Sequence, residues 1–460
     1  MDGQSRLRER PQSLAQHVNE TLRLAGPLVV ALVAQMAMGV TDTILLGGIG
    51  GEALAAGGLG HSLFITTQVV LQGVLAAVSV LVAQARGAGD DDAVPALYWT
   101  GMLLTGLLAI PAFTLFSMAE PLLLLAGEPP GLAHDVDTYV SVLRWGAPAA
   151  LLEMGMLRAF MPAIGAGASI LWTTLIATFV NGFLCYGLIH GVWGLPEMGL
   201  RGGAAATVIV WTVLAIALLA LVHLKPGRRR FVAWACPRAA MLGGMLRLGL
   251  PIAATFAVET GLFLAVALLI GLLGPAPLAA QQVALNVVSV AFMVPLGIAQ
   301  AANVRVGNRV GAGDALGARR AGLVAIGLGA GFELLAAMIN VLAPDAVAAL
   351  FIDPIDAEAF GIAVGLLGVA AVFQIADGVQ SVAGGALRGL GDTSTPFLLA
   401  ALGYWGIGFP AAWWLTMRTG AGAAGAWWGL AAGLIIVAVL LTMRFLRHSG
   451  QPIALQSRAR

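Results

Sequence analysis

The chain has 460 residues, of which 59% are hydrophobic and only 10% charged, with a mean hydropathy of +0.91. Soluble domains carry about a quarter charged residues, so the composition excludes a soluble globular protein. The 24 Lys plus Arg stand against 23 Asp plus Glu, which removes the basic excess expected of a nucleic-acid-binding protein and the polarity of a disordered one.

A polytopic helical membrane protein remains. A helix needs ~20 apolar residues to cross the hydrocarbon, and residues 260–304 hold no charged side chain. That stretch is two crossings, joined at Gly274-Pro275-Ala276-Pro277. Read in chain order, the sequence predicts twelve spans near 22–46, 54–84, 94–118, 138–163, 168–190, 200–223, 247–273, 278–304, 318–343, 360–387, 394–417 and 421–443.

The arginines then orient the spans, because positive loop residues are retained in the cytoplasm. Arg6, Arg8, Arg10, Arg86, the basic run Lys225 to Arg238, Arg305, Arg309, Arg319, Arg320, Arg388, Arg444 and Arg447 share one side if both termini are cytoplasmic. The opposite loops are acidic or neutral, as at Glu120, Glu128, Asp135 and Asp137 or Asp345, Asp353, Asp356 and Glu358, with Arg144, Arg201 and Arg418 as exceptions. The first apolar segment has full membrane length and no small-residue cleavage site, so it is expected to be an uncleaved anchor.

An ungapped repeat runs through the chain. A shift of 224 residues carries Leu22-Arg23-Leu24 and Pro27 onto Leu246-Arg247-Leu248 and Pro251, and Gly87-Ala88-Gly89-Asp90 onto Gly311-Ala312-Gly313-Asp314. Pro130 falls on Pro354 in the same register. Each repeat holds an even number of spans, so the halves are parallel and related by an axis along the membrane normal, a design of secondary transporters. The expected organisation is a cytoplasmic segment 1–21, an N-lobe 22–224 of helices 1–6, a basic cytoplasmic linker 225–245, a C-lobe 246–446 of helices 7–12 and a cytoplasmic tail 447–460.

Five carboxylates fall inside predicted spans: Asp42, Glu153, Glu259, Glu333 and Asp377. An ionisable group in the bilayer is costly and points to function by default. Glu259 lies midway along the seventh span, with no cationic neighbour for more than a turn of its own helix. Asp377 shares a helix face with Gln374 and Gln380 at i−3 and i+3. Burial disfavours the charged form of a carboxylate, which is what a proton or Na+ carrier uses. Asp42 stands in the outer third of the first span. Glu153 occupies the register of Asp377, but Arg158 five residues on is an alternative ion-pair partner, and Glu333 is left open between structure and function.

Gln282 and Asn286 share a face at i and i+4 in the eighth span, beside Gln281, and Asn181 is the amide of the fifth. Such residues either glue helices or line a wet cavity. Met154, Met156, Phe256, Phe263, Tyr404 and Trp405 are candidates for a soft ligand surface, or simple packing. Cys185 and Cys236 make no metal or disulfide pattern and are expected to be inert thiols.

The order and spacing of VTDTILLGG (40–48), NGFLCYGLIHG (181–191), LPEMGLRGGAAAT (195–207), FAVETGLF (256–263), QVALNVVSVAFMVPLGI (282–298), VRVGNRVGAGD (304–314) and DGVQSVAGGALRGLGDT (377–393) resemble the multidrug and toxic compound extrusion (MATE) family, NorM-like subgroup, over nearly the whole chain. The resemblance implies a two-lobed, twelve-helix exporter of the bacterial inner membrane. It would act as a monomer, without cofactor, and exchange H+ or Na+ for organic cations.

On that resemblance Asp42, Glu259 and Asp377 match the family's ion-coupling and substrate carboxylates, and Asn181 a first-lobe asparagine; Gln282, Asn286, Gln374, Gln380 and Glu153 would support a polar cavity. Na+ is the alternative ion at Glu259 and Asp377. Two departures favour protons: Cys185 replaces a second asparagine, and Phe373 stands where relatives carry a tyrosine.

Three rivals are weighed. A lipid-linked sugar flippase would want cavity cations, yet the arginines read as loop. An intramembrane enzyme would need a catalytic constellation, and none of the six histidines supplies one. A passive channel differs by carrying flux without a counter-ion gradient.

Overall fold

The computed structural model describes residues 13–352 and 355–450, so Arg6, Arg8, Arg10, Asp353, Pro354 and the end of the tail lie outside the described residues. The described chain is helical. The first half is built from α1 (Leu14–Gly47), α2 (Gly51–Gly87), α3 (Val94–Phe116), α4 (Ala119–Leu125), α5 (Pro130–Ala150), α6 (Arg158–Ala163), α7 (Gly167–His190) and α8 (Leu200–His223). The second has α9 (Ala239–Gly271), α10 (Pro275–Gly311), α11 (Ala315–Leu342), α12 (Pro344–Ala348), α13 (Ala357–Leu390), α14 (Ser394–Ala401), α15 (Phe409–Arg418) and α16 (Gly422–Ser449).

Eleven helical runs among the described residues are long and apolar enough to cross a membrane, α14 to α15 counting as one. The twelfth crossing is 130–163, where α5 and α6 are joined by a π-helical turn, Leu151–Leu157, and which Arg144, Glu153 and Arg158 make too polar for that criterion. Outward-facing rings such as Trp172 and Phe179, 65% and 79% exposed, suit contact with lipid and with nothing in water. Several helices overrun their expected spans by about two to three turns, α1, α9 and α10 above all.

The repeat is visible in the backbone. Asp90 and Asp314 occupy the same register, and each accepts an N–H three residues on, from Ala93 at 3.1 Å and Gly317 at 2.8 Å. Two hydrophobic cores result. One joins α1 to α8, the other chiefly α9 to α16. The linker's Phe231 and Val232 pack into the first core, while Trp99 Nε1 donates to the Ala233 carbonyl at 3.1 Å.

The lobes meet through α1, α2, α9 and α10. Gly73 of α2 packs on the backbone of Ala253 in α9, and its repeat mate Gly297 of α10 packs on Val29 in α1, itself the mate of Ala253. Nearer the arginine-bearing helix ends, a methyl at Gly87 would collide with the Asn308 carbonyl and one at Gly311 with that of Gln84. Hydrogen bonds follow the same level: Asn303 Nδ2 donates to Ser79 Oγ at 3.3 Å and Gln84 Nε2 to the Gly389 carbonyl at 2.9 Å. Buried Arg305 donates to the His17 carbonyl at 2.9 Å, to Glu20 at 2.7 Å and to Thr21. Towards the other end Asn286 lies three turns from Gly297 on the same face of α10 and is exposed, so the lobes have parted there.

Candidate functional site: a cavity between the lobes and two buried carboxylate clusters

The parted lobes bound a cavity of ≈ 430 Å³. The N-lobe contributes Gln35, Gln72, Ser79 and Arg158; the C-lobe contributes Glu259, Gln300, Asn303, Gln380 and Arg388; Met154, Phe256, Phe263 and Phe292 give it a soft apolar wall. Few polar groups in a largely apolar concavity is the usual make-up of a small-molecule site.

Glu259 is the acidic residue on that wall. It reaches the cavity because α9 passes the lobe contact at Ala253 one and a half turns earlier. Gln380 Nε2 donates to Glu259 Oε1 at 3.2 Å and to Asp377 Oδ1 at 3.3 Å, so one amide ties the two carboxylates together. Asp377 stands behind Gln380, 5% exposed, and does not line the cavity. Gln374 turns away from the cavity to bond Asn340 and the Glu333 carbonyl.

Two residues complete this cluster that sequence reading placed elsewhere. Arg388, read as a loop cation, lies in the last turns of α13, lines the cavity, interacts with Glu259 and sits 5.8 Å from the Phe256 ring. Glu259 therefore has a cationic neighbour, supplied by another helix. Tyr404 is fully buried beside Glu259 and Asp377, on a second π-helical turn, Leu402–Gly408. Phe373 stacks edge-on against Phe263 and Trp427 at 6.0 and 5.3 Å.

The N-lobe carboxylate is arranged differently. Asp42 accepts from Asn181 Nδ2 at 2.5 Å and from Thr207 Oγ1 at 3.2 Å, with the Cys185 thiol as a third partner. Cys185 is a buried free thiol, and its S–H is directed at Asp42. Asp42 is 5% exposed and not on the cavity wall.

Glu153 resolves to an ion pair: Arg158 Nε lies 2.7 Å from its Oε1. The π-helical turn between them brings residues five apart onto one face, which an α-helix does not. Arg158 also donates to Gln35 Oε1 at 2.7 Å and to Thr174 at 3.3 Å. Gln282 and Asn286 are exposed on the outer half of α10, away from the enclosed cavity.

The repeat makes the two lobes comparable residue by residue. Gln35 occupies the register of Glu259, and Glu153 that of Asp377. Where the C-lobe holds two linked carboxylates, the N-lobe holds an amide and a carboxylate already neutralised by arginine.

The family MatE matches twice, over residues 27–187 and 251–414, with starts 224 apart like the repeat. The chain belongs to the MATE family. Within it, the NorM-like subgroup is the place of this chain. It is 54% identical over 442 residues to a probable multidrug resistance protein NorM of Burkholderia mallei, covering 95% of this chain and 94% of that one. It is 52% identical over 446 residues to the multidrug resistance protein NorM of Burkholderia vietnamiensis, covering 96% of each. The fold of this MATE protein is that of the eukaryotic MATE transporter AtDTX14, with TM-score 0.87, 21% identity and coverage of 97% and 98%. An outward-facing MATE transporter gives TM-score 0.86 at 20% identity, covering 96% of this chain and all of the other. Membership makes the chain a multi-pass membrane transporter and no enzyme.

Proposed function

We propose that the protein is a multidrug efflux antiporter that expels organic cations in exchange for a small cation, by alternating opening of the inter-lobe cavity to the two membrane faces. The names of the NorM relatives support the multidrug reading. The observation that carries the exchange is the asymmetry of the repeat: the Glu259–Gln380–Asp377 cluster keeps two carboxylates, and its N-lobe counterpart, Gln35 with Glu153–Arg158, is spent on an internal ion pair. A carboxylate on an apolar wall holds a cation well only while it is ionised. Protonation of Glu259 or Asp377 removes that charge and releases the drug. Arg388 beside Glu259 gives the emptied carboxylate a counter-charge to return to.

The arginine-bearing ends face the cytoplasm by the positive-inside rule. The lobes are joined there and parted opposite, so this conformation opens outward and receives the coupling cation. Exchange of one monovalent drug for one proton is electroneutral and draws on the pH gradient alone; a second proton adds about 2.3 kcal/mol per 100 mV. Phe373, one turn before Asp377, has no oxygen to offer a metal ion, which favours protons over Na+, with Tyr404 the hydroxyl beside the cluster.

The case against a lipid-linked sugar flippase rests on arginines confined to loops, and Arg158 and Arg388 on the cavity wall correct that premise. Neither offers a free cationic surface, since Arg158 is engaged by Glu153 and Gln35 and Arg388 faces Glu259. Efflux of a fluorescent organic cation from reconstituted vesicles tests the proposal, with pH and Na+ gradients imposed separately. Accumulation against the drug gradient under one of them is expected; flux indifferent to both gradients is that of a channel and contradicts antiport.

A further inference from the structure

One buried carboxylate has no task in this scheme. Glu333 of α11 is 1% exposed, and its Oε2 has no hydrogen-bond partner. Its side chain lies flat on α13 at Gly378, where a Cβ would stand 2.5 Å from Glu333 Cγ. Gly378 directly follows Asp377, and the two carboxyl groups interact. Gln374, three residues before Asp377, donates to the Glu333 carbonyl at 3.3 Å and accepts from Asn340 Nδ2 at 2.9 Å. Asn340 is buried near the last turn of α11, at the end away from the arginines.

These groups continue the Glu259–Gln380–Asp377 cluster into a polar column through the C-lobe, from the cavity wall towards the outward face. Helix packing alone does not require it. The N-lobe residues in the registers of Glu333, Asn340 and Gln374 are Ala109, Phe116 and Ala150, and the equivalent helices pack without them.

We propose that Glu333 is a second holding position for the coupling cation, beside Asp377 at the inner end of the column that Gln374 and Asn340 carry outward, by which the cation reaches Asp377 and Glu259 through the C-lobe instead of through the drug cavity. This rests on the reading of Glu259 and Asp377 as the coupling pair. For a proton, the O–H bond on Glu333 breaks as one forms on Asp377, directly or through water, and Glu333 is left ionised to accept the next. The titratable group facing Glu333 from α13 is Asp377, with Glu259 of α9 and Tyr404 beyond it. Arg319 and Arg320 are more than three turns back on α11. The charges of α1, α10 and α16 at His17, Glu20, Arg305, Arg309, Arg444 and Arg447 sit at the arginine-bearing end, and Asp345 of α12 is exposed.

The test is the pH profile of drug efflux in vesicles holding the full chain, for the wild type, Glu333→Gln and Glu333→Asp, with Glu259→Gln alongside. Removing a like charge next to Asp377 should move the Glu333→Gln profile about one unit towards acid while drug affinity is kept; Glu333→Asp should stay near the wild type. A Glu333→Gln profile superimposable on the wild type, at full or reduced rate, overturns the proposal.

Should Glu333→Gln fail to fold, carbodiimide modification of the wild type decides. Loss of efflux in step with modification of Glu333 supports the site, whereas modification of Asp377 or Glu259 with Glu333 untouched overturns it. Protection of Glu333 by Na+ identifies the cation as Na+, and insensitivity to Na+ identifies it as H+. If Glu259→Gln itself transports normally, the functional reading has failed; if that variant is inactive and Glu333→Gln is unshifted, only this inference has.

Discussion

Asn303 donates a hydrogen bond to Ser79 across the lobe boundary at 3.3 Å, and the two residues are 224 positions apart, the spacing of the internal repeat. They are one position seen twice, so the pseudo-twofold axis passes between them. The same axis relates Gly73 on Ala253 to Gly297 on Val29 and Gly87 on Asn308 to Gly311 on Gln84.

Closure at the arginine-bearing end therefore depends on the absence of side chains at Gly87 and Gly311, where added atoms would meet backbone and not a movable side chain. Gly87→Val or Gly311→Val should hold that end apart and stop efflux, with folded protein still recovered. Cysteine pairs placed across α2 and α10 at this end should cross-link in the wild type and fail to in either variant. Undiminished cross-linking would contradict the arrangement.

Arg158 sits between Glu153 and Gln35 with little exposure. Arg158→Ala leaves a buried carboxylate unpaired and should destabilise the protein by about 3–5 kcal/mol. Replacing both partners, Glu153→Gln with Arg158→Met, should recover most of that, because the cost lies in the orphaned charge and not in the missing bridge. Thermal unfolding in detergent separates the two outcomes. Equal losses in the single and double variants would contradict the orphaned-charge account of the pair.

Asp42 is held by Asn181 and Thr207 away from the cavity wall. Asp42→Asn keeps its shape and should lower efflux by about tenfold or less, well short of the effect at Glu259. The comparison is made on initial efflux rates at matched protein. An Asp42→Asn variant as inactive as Glu259→Gln would move the coupling site, in whole or in part, to the N-lobe.

The spans, the repeat and the intramembrane carboxylates were legible because each is a one-dimensional signal: apolar length, register and a charge out of place. What was hidden is three-dimensional. Arg388 read as a loop because charge bias suggests a helix end, whereas α13 runs on to Leu390 and carries that turn into the cavity. Tyr404 looked like packing since its role depends on α9 and α13 arriving beside it. The Glu153–Arg158 spacing of five fits no α-helical face, and a π-helical turn cannot be read from periodicity. Depth along a helix placed Asp42 in the membrane but not its distance from the cavity. The pairing of Gln35 with Glu259 was available in the register all along, and its meaning came only when both were seen on the same wall.

The central claim is that the Glu259 carboxylate binds drug and coupling cation in turn. Drug expulsion and proton uptake, measured together in reconstituted vesicles for the wild type and Glu259→Gln, test it directly. The wild type should take up protons as it expels drug, and Glu259→Gln, folded and inserted, should do neither above the protein-free background. Drug expulsion by Glu259→Gln at the wild-type rate, with protons still moving, would contradict the account.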